Sequence, residues 1–280
     1  GASEGIAAYL TPDPSRLLDS KVWSAAFGQI FYSLSLGMGI MVAYSSYLPE
    51  RAKVGQNSLI TAFANSGFEI FAGFAVFSTL GYMAFKSGLP VAKVASGGAG
   101  LAFVAYPKAI SLLPFASKLF GVIFFSALIF AGITSAISIF ESFVSSIIDK
   151  FGVARKKVVT VCCGLGCLGS LVFTTGAGVH WLEIVDYFLN NFGLLVVGFL
   201  EAVLIAWVFG ADKLASHINK NSNLPFMGVW QFLIRFIVPA LLLVLLLLEG
   251  LRMLKDPYGG YSWWALTSIG IGWIVLTASA

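Results

Sequence analysis

The sequence has few charged residues. Asp, Glu, Lys and Arg make up 11% of the 280 residues, whereas hydrophobic residues make up 58% and the mean hydropathy is +0.90. A soluble domain of this size carries about 25% charged residues. The low charge therefore excludes a soluble globular domain and predicts an all-α polytopic membrane protein. The formal net charge of +4 comes from short loops between apolar segments, which indicates positive-inside placement rather than a nucleic-acid surface.

Residues with catalytic or metal-binding chemistry are also scarce. The two histidines, His180 and His217, are predicted in loops on opposite sides of the membrane. No nucleophile, base and oxyanion arrangement can be assembled around them. The three cysteines, Cys162, Cys163 and Cys167, share one apolar segment that contains no histidine or carboxylate, so they are interpreted as packing residues. We therefore expect neither an enzyme nor an organic cofactor.

Long uncharged runs predict seven transmembrane helices, because about 20 apolar residues cross a bilayer core about 30 Å thick. The first five are predicted at about 22–48, 59–85, 119–148, 158–173 and 181–209, and residues 211–280 hold two more.

Two longer connections and three short ones predict how the chain is oriented in the membrane. Residues 1–21 and 86–118 are expected to be extracellular loops, the second with two short helices on the membrane face. The basic loops that contain Arg51 and Lys53, residues 155–157, and Lys213 and Lys220 are expected on the cytoplasmic side. Residue 1 then lies outside the cell membrane and the C-terminus inside it.

The first predicted span, 22–48, is a poor helix in its middle. Ser33, Ser35, Gly37 and Gly39 put hydroxyls and bare backbone where a lipid-facing helix carries leucine or valine. Unpaired backbone at that depth is tolerated only inside protein or beside a wet cavity. One interpretation is a broken helix whose carbonyls, amides and hydroxyls line a site at the midplane. The alternative, which the spacing supports equally, is a continuous helix whose small residues contact a neighbouring helix.

Polar residues also occur inside the second and third spans. Asn65 and Glu69 are four residues apart and so share one helical face, and an ionisable residue at that depth indicates a functional site. Ser33, Thr134 and Ser135 add neutral oxygens, which suit an alkali cation. Each hydroxyl taken alone is more simply explained by a hydrogen bond to its own helix backbone.

Several short motifs of the chain occur together in a known family. They are Val22-Trp23, Gly28-Gln29-Ile30-Phe31, Ser33-Leu34-Ser35-Leu36-Gly37-Met38-Gly39, Gly100-Leu101-Ala102-Phe103-Val104-Ala105-Tyr106-Pro107, Ala131-Gly132-Ile133-Thr134-Ser135 and Phe209-Gly210-Ala211-Asp212-Lys213. With them the chain resembles the neurotransmitter:sodium symporters, particularly the bacterial leucine and hydrophobic amino acid transporter type. The resemblance implies part of the leucine-transporter-type inverted-repeat fold, with a discontinuous first helix. Residues 22–210 would form the second five-helix repeat, the seven spans would be helices six to twelve, and helices one to five would be missing.

The resemblance also implies roles for individual residues. Ser33 and Asn65 would supply oxygen ligands to one sodium ion. The Ala131 carbonyl and the Thr134 and Ser135 hydroxyls would supply the oxygen ligands of a second sodium ion. The substrate-binding residues would be Tyr32 as an aromatic lid, together with Ser33, Ser35, Met38, Ser135, Ala136 and Ile139. Glu69 would replace a chloride ion near the first sodium, and Asp186 would be the acid of the outer gate.

These roles lead to a function. The resemblance implies the C-terminal part of a sodium-coupled, chloride-independent amino acid symporter that works by alternating access. Met38 and Ala136, where the leucine-transporter type has phenylalanine and serine, predict a wide pocket for large hydrophobic or aromatic amino acids. The expected partners are sodium ions, the amino acid, the lipid bilayer and helices one to five in the same or another chain, without nucleic acid. The alternative is a truncated or split-gene membrane scaffold or subunit that does not transport alone.

Overall fold

A computed structural model describes residues 1–94, 100–113, 115–221 and 228–279, and in these residues the secondary structure is helical with no β-strand. Parts of the predicted loop 86–118 and of the C-terminal segment 211–280 lie outside the described residues. The helices before residue 178 include α1 (Ala2–Leu10), α2 (Ser20–Ser33), α3 (Ile40–Ser45), α4 (Val54–Ser87), α5 (Tyr106–Ser111, directly after the π-helical turn Leu101–Ala105), α6 (Ser117–Phe151) and α7 (Arg155–Ser170), and a four-residue helix at Val91–Val94.

The later helices contain π-helical turns. Helix α8 covers 178–210 and contains the π-helical turns Leu189–Gly193 and Leu204–Gly210. Helix α9 is Ala211–Lys220, helix α10 covers 228–255 with the π-helical turn Leu233–Ile237, and helix α11 covers 263–279 with the π-helical turn Leu266–Ile271. His180 and His217, which were predicted in loops, lie instead in α8 and α9.

The helices have the length and composition of membrane spans. Five helical segments in the described part of the chain are long and apolar enough to cross a bilayer, and Trp263–Leu276 is a shorter apolar segment. Those five segments are Val54–Ser87, Ser117–Phe151, Arg155–Thr174, Gly178–Lys220 and Gly228–Gly260. The first predicted span is divided between α2 and α3, so neither piece reaches that length by itself. The all-α polytopic membrane fold and its discontinuous first helix are confirmed.

The chain forms two compact units. The first consists of Gly1–Pro14 and Ile60–Ile137, and the second consists of Ser15–Leu59 and Ser138–Ala280.

In the first unit, α1 packs on α4, and this corrects the expectation that residues 1–21 form only a loop. The Tyr9 ring stacks on Phe77 with centroids 4.8 Å apart, and its hydroxyl donates to the Ile70 carbonyl at 3.3 Å. A Cβ added at Gly5 would collide with the Phe77 carbonyl oxygen, so glycine permits the close approach. The helix was missed because its partner is 60 to 70 residues away and its own sequence shows little periodicity.

In the second unit, α2, α8 and α10 share a core. Phe31, Leu194, Leu195, Leu242 and Leu245 are buried together. Lipid tails are as apolar as these side chains, so the helices associate through close packing rather than through removal of apolar surface from water. A Cβ at Gly198 would collide with the Phe31 ring, which means that this glycine permits α2 to lie directly against α8.

Candidate functional site

Helix α2 ends at Ser33 in a tight capping motif. The Leu36 N–H donates to the Phe31 carbonyl at 2.8 Å, and the Ser35 N–H donates to the Tyr32 carbonyl at 3.1 Å. These two bonds form a Schellman motif, in which the residue after the C-cap takes the left-handed conformation. That residue is Ser35, with φ of 56°. The helix therefore stops inside the predicted first span, as the broken-helix interpretation requires, and the alternative of a continuous helix is wrong.

Two glycines complete the turn between α2 and α3. Gly37 and Gly39 have φ of 70° and 69°, and Gly39 is the N-cap residue of α3. Glycine adopts such φ values without steric cost, whereas other residues pay for them. The alternation of serine and glycine along 33–39 thus interrupts the helix for six residues, 34–39, before α3 begins at Ile40.

Two side chains from other helices contact this turn. The buried Ser142 hydroxyl of α6 donates to the Met38 carbonyl at 3.1 Å. The Glu201 carboxylate of α8 lies within hydrogen-bonding reach of the Gly37 backbone N–H. The backbone polar groups of a turn inside a span need such partners. Sequence reasoning did not connect either side chain with the turn; an acid and a serine inside apolar spans were the available signals.

The candidate substrate residues near the turn differ in exposure. Tyr32 is 55% exposed and Ile139 is 48% exposed, so both present surface outside the unit's core. Met38 is partly buried and packs against the Phe31 and Leu194 cluster. The Ser33 hydroxyl is 3.5 Å from the Ile30 carbonyl, at the limit of a hydrogen bond. Ser35 is partly buried at the left-handed position of the turn.

The candidate residues of the first unit lie on α4 and α6. Asn65 and Glu69 are both partly buried and are one turn apart on α4. On α6, the Thr134 hydroxyl lies 3.0 Å from the Ala131 carbonyl and 3.0 Å from the Phe130 carbonyl. The hydroxyl and the Ala131 carbonyl are thus close enough for one cation to contact both. A hydroxyl that donates a hydrogen bond keeps lone pairs for a cation, so these bonds leave the predicted ligand role open.

The predicted sites draw on both units. Ser33 belongs to the second unit and Asn65 to the first, whereas Ala131, Thr134 and Ser135 all belong to the first. The chain brings the second set together on one helix. The central stretch of α6 is exposed along its length, and Ala131, Thr134, Ser135 and Ala136 are among its exposed residues.

Asp186, the predicted outer-gate acid, lies near the start of α8. It is exposed and accepts a hydrogen bond from the Asn190 side chain at 2.8 Å, one turn along the helix. An exposed carboxylate with a neutral partner keeps its charge available for a cationic group.

A polar cluster joins α3, α6 and α7 at the end of the unit that carries the basic residues 155–157, which form the first turn of α7 rather than the predicted loop. Glu141 accepts two bonds from Arg155, at 2.8 and 2.6 Å, and a third from the Tyr47 hydroxyl at 3.1 Å. The Tyr44 hydroxyl lies 2.7 Å from that of Ser138. A two-point arginine–carboxylate pair is strong and directional. The cluster holds α3 against α6 on the far side of the turn from α2, and sequence reasoning did not connect these residues.

Known proteins match the amino-acid sequence of this chain. The model of the sodium:neurotransmitter symporter family matches residues 1–280. An uncharacterised sodium-dependent transporter of Methanocaldococcus jannaschii is 49% identical over 261 residues, which cover 93% of this chain and 53% of that protein.

Two animal proteins are more distant matches. The sodium- and chloride-dependent glycine transporter 1 of Xenopus laevis is 33% identical over 288 residues, which cover 100% of this chain and 44% of that protein. The sodium- and chloride-dependent creatine transporter 1 of Homo sapiens is 38% identical over 225 residues, which cover 78% of this chain and 35% of that protein. The chain thus spans about half the length, or less, of these relatives.

Proposed function

Because the chain belongs to the sodium:neurotransmitter symporter family, we propose that the protein carrying it is a sodium-coupled amino acid symporter that works by alternating access. The break between α2 and α3 is the observation that supports this most strongly. The relatives of this chain are named as transporters rather than enzymes. Multi-pass insertion in the plasma membrane is a family property. We propose the cytoplasmic side for three basic segments, which are the loop with Arg51 and Lys53, residues 155–157 at the start of α7, and Lys213 and Lys220 of α9.

The end of α2 has the chemistry to attract a cation. The last carbonyls of a helix carry the negative end of its dipole, and the Ser33 hydroxyl lies at that end. We propose that Ser33 and Asn65 bind one sodium ion, and that Ala131, Thr134 and Ser135 bind a second. Neutral oxygens bind sodium firmly enough to strip its water and weakly enough to release it later.

The same turn is proposed to bind the amino acid. Tyr32, Ser33, Ser35, Met38, Ser135, Ala136 and Ile139 would contact it, with Tyr32 as the lid. Met38 brings an adaptable thioether and Ala136 a small side chain, and together they favour large hydrophobic or aromatic amino acids. Asp186 would close the outer side by pairing with a cationic group.

Uptake by the complete protein in proteoliposomes tests the symport proposal. We expect tritiated leucine to accumulate when sodium is higher outside, and accumulation to stop when potassium replaces sodium. Unlabelled tryptophan or leucine should compete more strongly than glycine or alanine. Equal uptake in potassium would contradict sodium coupling, and stronger competition by glycine would contradict the proposed substrate class.

Glu69 supports a further proposal, that transport does not require chloride. A fixed carboxylate near the first sodium site would balance its charge, and opposite charges 4 Å apart gain about 4 kcal/mol at an effective dielectric of about 20, before desolvation.

We expect uptake to persist when gluconate replaces chloride. In Glu69→Ser, uptake should become dependent on chloride, whereas Glu4→Ser, which removes an exposed acid of α1, should behave like the wild type. Collapse of wild-type uptake without chloride would overturn this role.

We propose that further chain, in the same or another polypeptide, covers α6 and completes both sodium sites. The exposure of Ala131, Thr134 and Ser135 supports this, because hydroxyl ligands facing only lipid would serve no cation. A scaffold or subunit without transport of its own is the alternative. Uptake by residues 1–280 expressed alone would contradict the need for additional helices.

A further inference from the structure

An apolar groove runs between α8 and α10 on the outside of the second unit. One wall is formed by Phe199, Val203 and Trp207, spaced four residues apart on one face of α8. The facing wall is formed by Phe236, Ala240 and Leu243 on one face of α10. The groove is shallow and open to the outside, with a volume of about 290 Å³, and Ala240 contributes only a small side chain to it. None of its lining residues belongs to the turn at 34–39 or to the candidate ion ligands.

Both walls carry a π-helical turn at the same end of the groove. Leu204–Gly210 contains Trp207, and Leu233–Ile237 contains Arg235 and Phe236. The Trp207 indole N–H donates to the Arg235 carbonyl at 3.3 Å, and the Trp207 and Phe236 rings meet edge to face at 5.9 Å. Single π-helical turns inside α-helices occur frequently at functional sites.

The end of the groove with these turns is basic. The Arg235 guanidinium is about one-third exposed and pairs with Asp212 at 2.5 Å. A guanidinium has five N–H donors, more than one carboxylate occupies. The Lys213 stem lies over Gly210, where the chain turns from α8 into α9. The Asn221 side chain, just after α9, donates to the Glu50 carbonyl at 2.9 Å, so the loop with Arg51 and Lys53 lies beside the end of α9.

The dimensions of the groove match one leaflet of a bilayer. Phe199 and Trp207 are eight residues apart, which corresponds to about 12 Å along a helix. Half of the bilayer hydrocarbon core is about 15 Å thick. Tryptophan is enriched where the core meets the headgroups, and Trp207 lies at the basic end.

From this geometry we propose that the groove binds one acyl chain of an anionic phospholipid, with the headgroup phosphate bound by Arg235. The apolar walls contact the chain, and the arginine provides charge complementary to the headgroup. A zwitterionic lipid would contact the same walls, but its headgroup would gain less electrostatic stabilisation from Arg235. The groove therefore distinguishes lipids by the charge of the headgroup rather than by the acyl chain.

Fluorescence quenching of Trp207 tests the proposal in the complete protein. The protein is reconstituted in phosphatidylcholine bilayers that contain 10 mol% of a lipid brominated on its acyl chain, either phosphatidylglycerol or phosphatidylcholine. The signal of Trp207 is taken as the difference between the wild type and Trp207→Phe. We expect brominated phosphatidylglycerol to quench this signal more strongly than brominated phosphatidylcholine at the same mole fraction.

Three variants identify the source of that preference. Arg235→Gln should reduce the preference for phosphatidylglycerol about fivefold, which is the contribution of one basic residue near an anionic headgroup. Ala240→Phe fills the groove and should reduce quenching by both lipids while it leaves the charge in place. Lys156→Gln removes the same charge from an exposed position in the first turn of α7 and should behave like the wild type. Equal quenching by both lipids in the wild type, or a preference that survives Arg235→Gln and Ala240→Phe, would overturn the proposal.

Discussion

At the scale of single residues, the break in the first span depends on three left-handed backbone positions. Ser35, Gly37 and Gly39 all have positive φ. A left-handed conformation costs about 1–2 kcal/mol for a residue with a Cβ, so Ser35 bears a cost that the two glycines avoid. Strained residues of this kind occur mainly at functional sites, where neighbouring contacts maintain them. Ser142 and Glu201 supply such contacts for Met38 and Gly37.

Gly39→Ala should destabilise the complete protein by at least about 1–2 kcal/mol. Its φ of 69° disfavours a Cβ, and that Cβ would lie 2.6 Å from the Ser142 hydroxyl oxygen. Gly28→Ala is the matched control, because it lies within α2 and its Cβ would meet only the Asn190 carbonyl at 3.8 Å. Thermal unfolding in detergent measures both variants. Equal stability of the two would contradict the described turn.

At the scale of helices, glycines decide how closely the spans approach. Gly198 lies where the Phe31 ring of α2 rests on α8, and a Cβ there would enter that ring. Between membrane helices, such close packing replaces the hydrophobic effect as the source of association. The contact therefore fixes where α2 lies before it ends at Ser33.

Gly198→Ala should lower the free energy of unfolding by about 1–3 kcal/mol, because the added methyl group overpacks the contact with Phe31. Gly166 lies within α7, and a Cβ added there meets open space. Gly166→Ala should therefore leave the free energy of unfolding unchanged or raise it by about 0.5–1 kcal/mol, because alanine loses less backbone entropy in a helix. The two variants make the same chemical change, so their difference in unfolding temperature isolates the contact with Phe31. A destabilised Gly166→Ala together with a neutral Gly198→Ala would refute this packing.

Helices and their contacts were predictable from the sequence to different degrees. Uncharged length identified the long helices, because that signal is local. The serine and glycine alternation at 33–39 marked where a break could occur, but it supported a continuous helix equally, and the structure decides for the break. Helix α1 was missed, since the stacking of Tyr9 on Phe77 joins residues far apart in the sequence. The contacts of Ser142 and Glu201 with the turn were missed for the same reason. An acid or serine inside a span reveals that a partner is needed, but its identity depends on how the helices pack.

At the scale of the whole molecule, the candidate ligands are shared between two compact units. Ser33 and Asp186 belong to one unit, and Asn65, Glu69 and Thr134 belong to the other. The chain spans about half of its relatives' length, or less. Its exposed helix α6 is the surface on which we expect the remaining helices to pack.

The most direct test of the central claim is the sodium concentration that gives half-maximal leucine binding to the complete protein. The account predicts that Ser33→Ala raises this concentration at least about tenfold, because it removes an ion ligand at the break. Ser78→Ala, which removes a hydroxyl that donates only to the Phe74 carbonyl of α4, should leave it unchanged. Leucine binding that does not depend on sodium, or an equal sodium requirement in Ser33→Ala and the wild type, would contradict the claim that the broken helix binds the coupling ion.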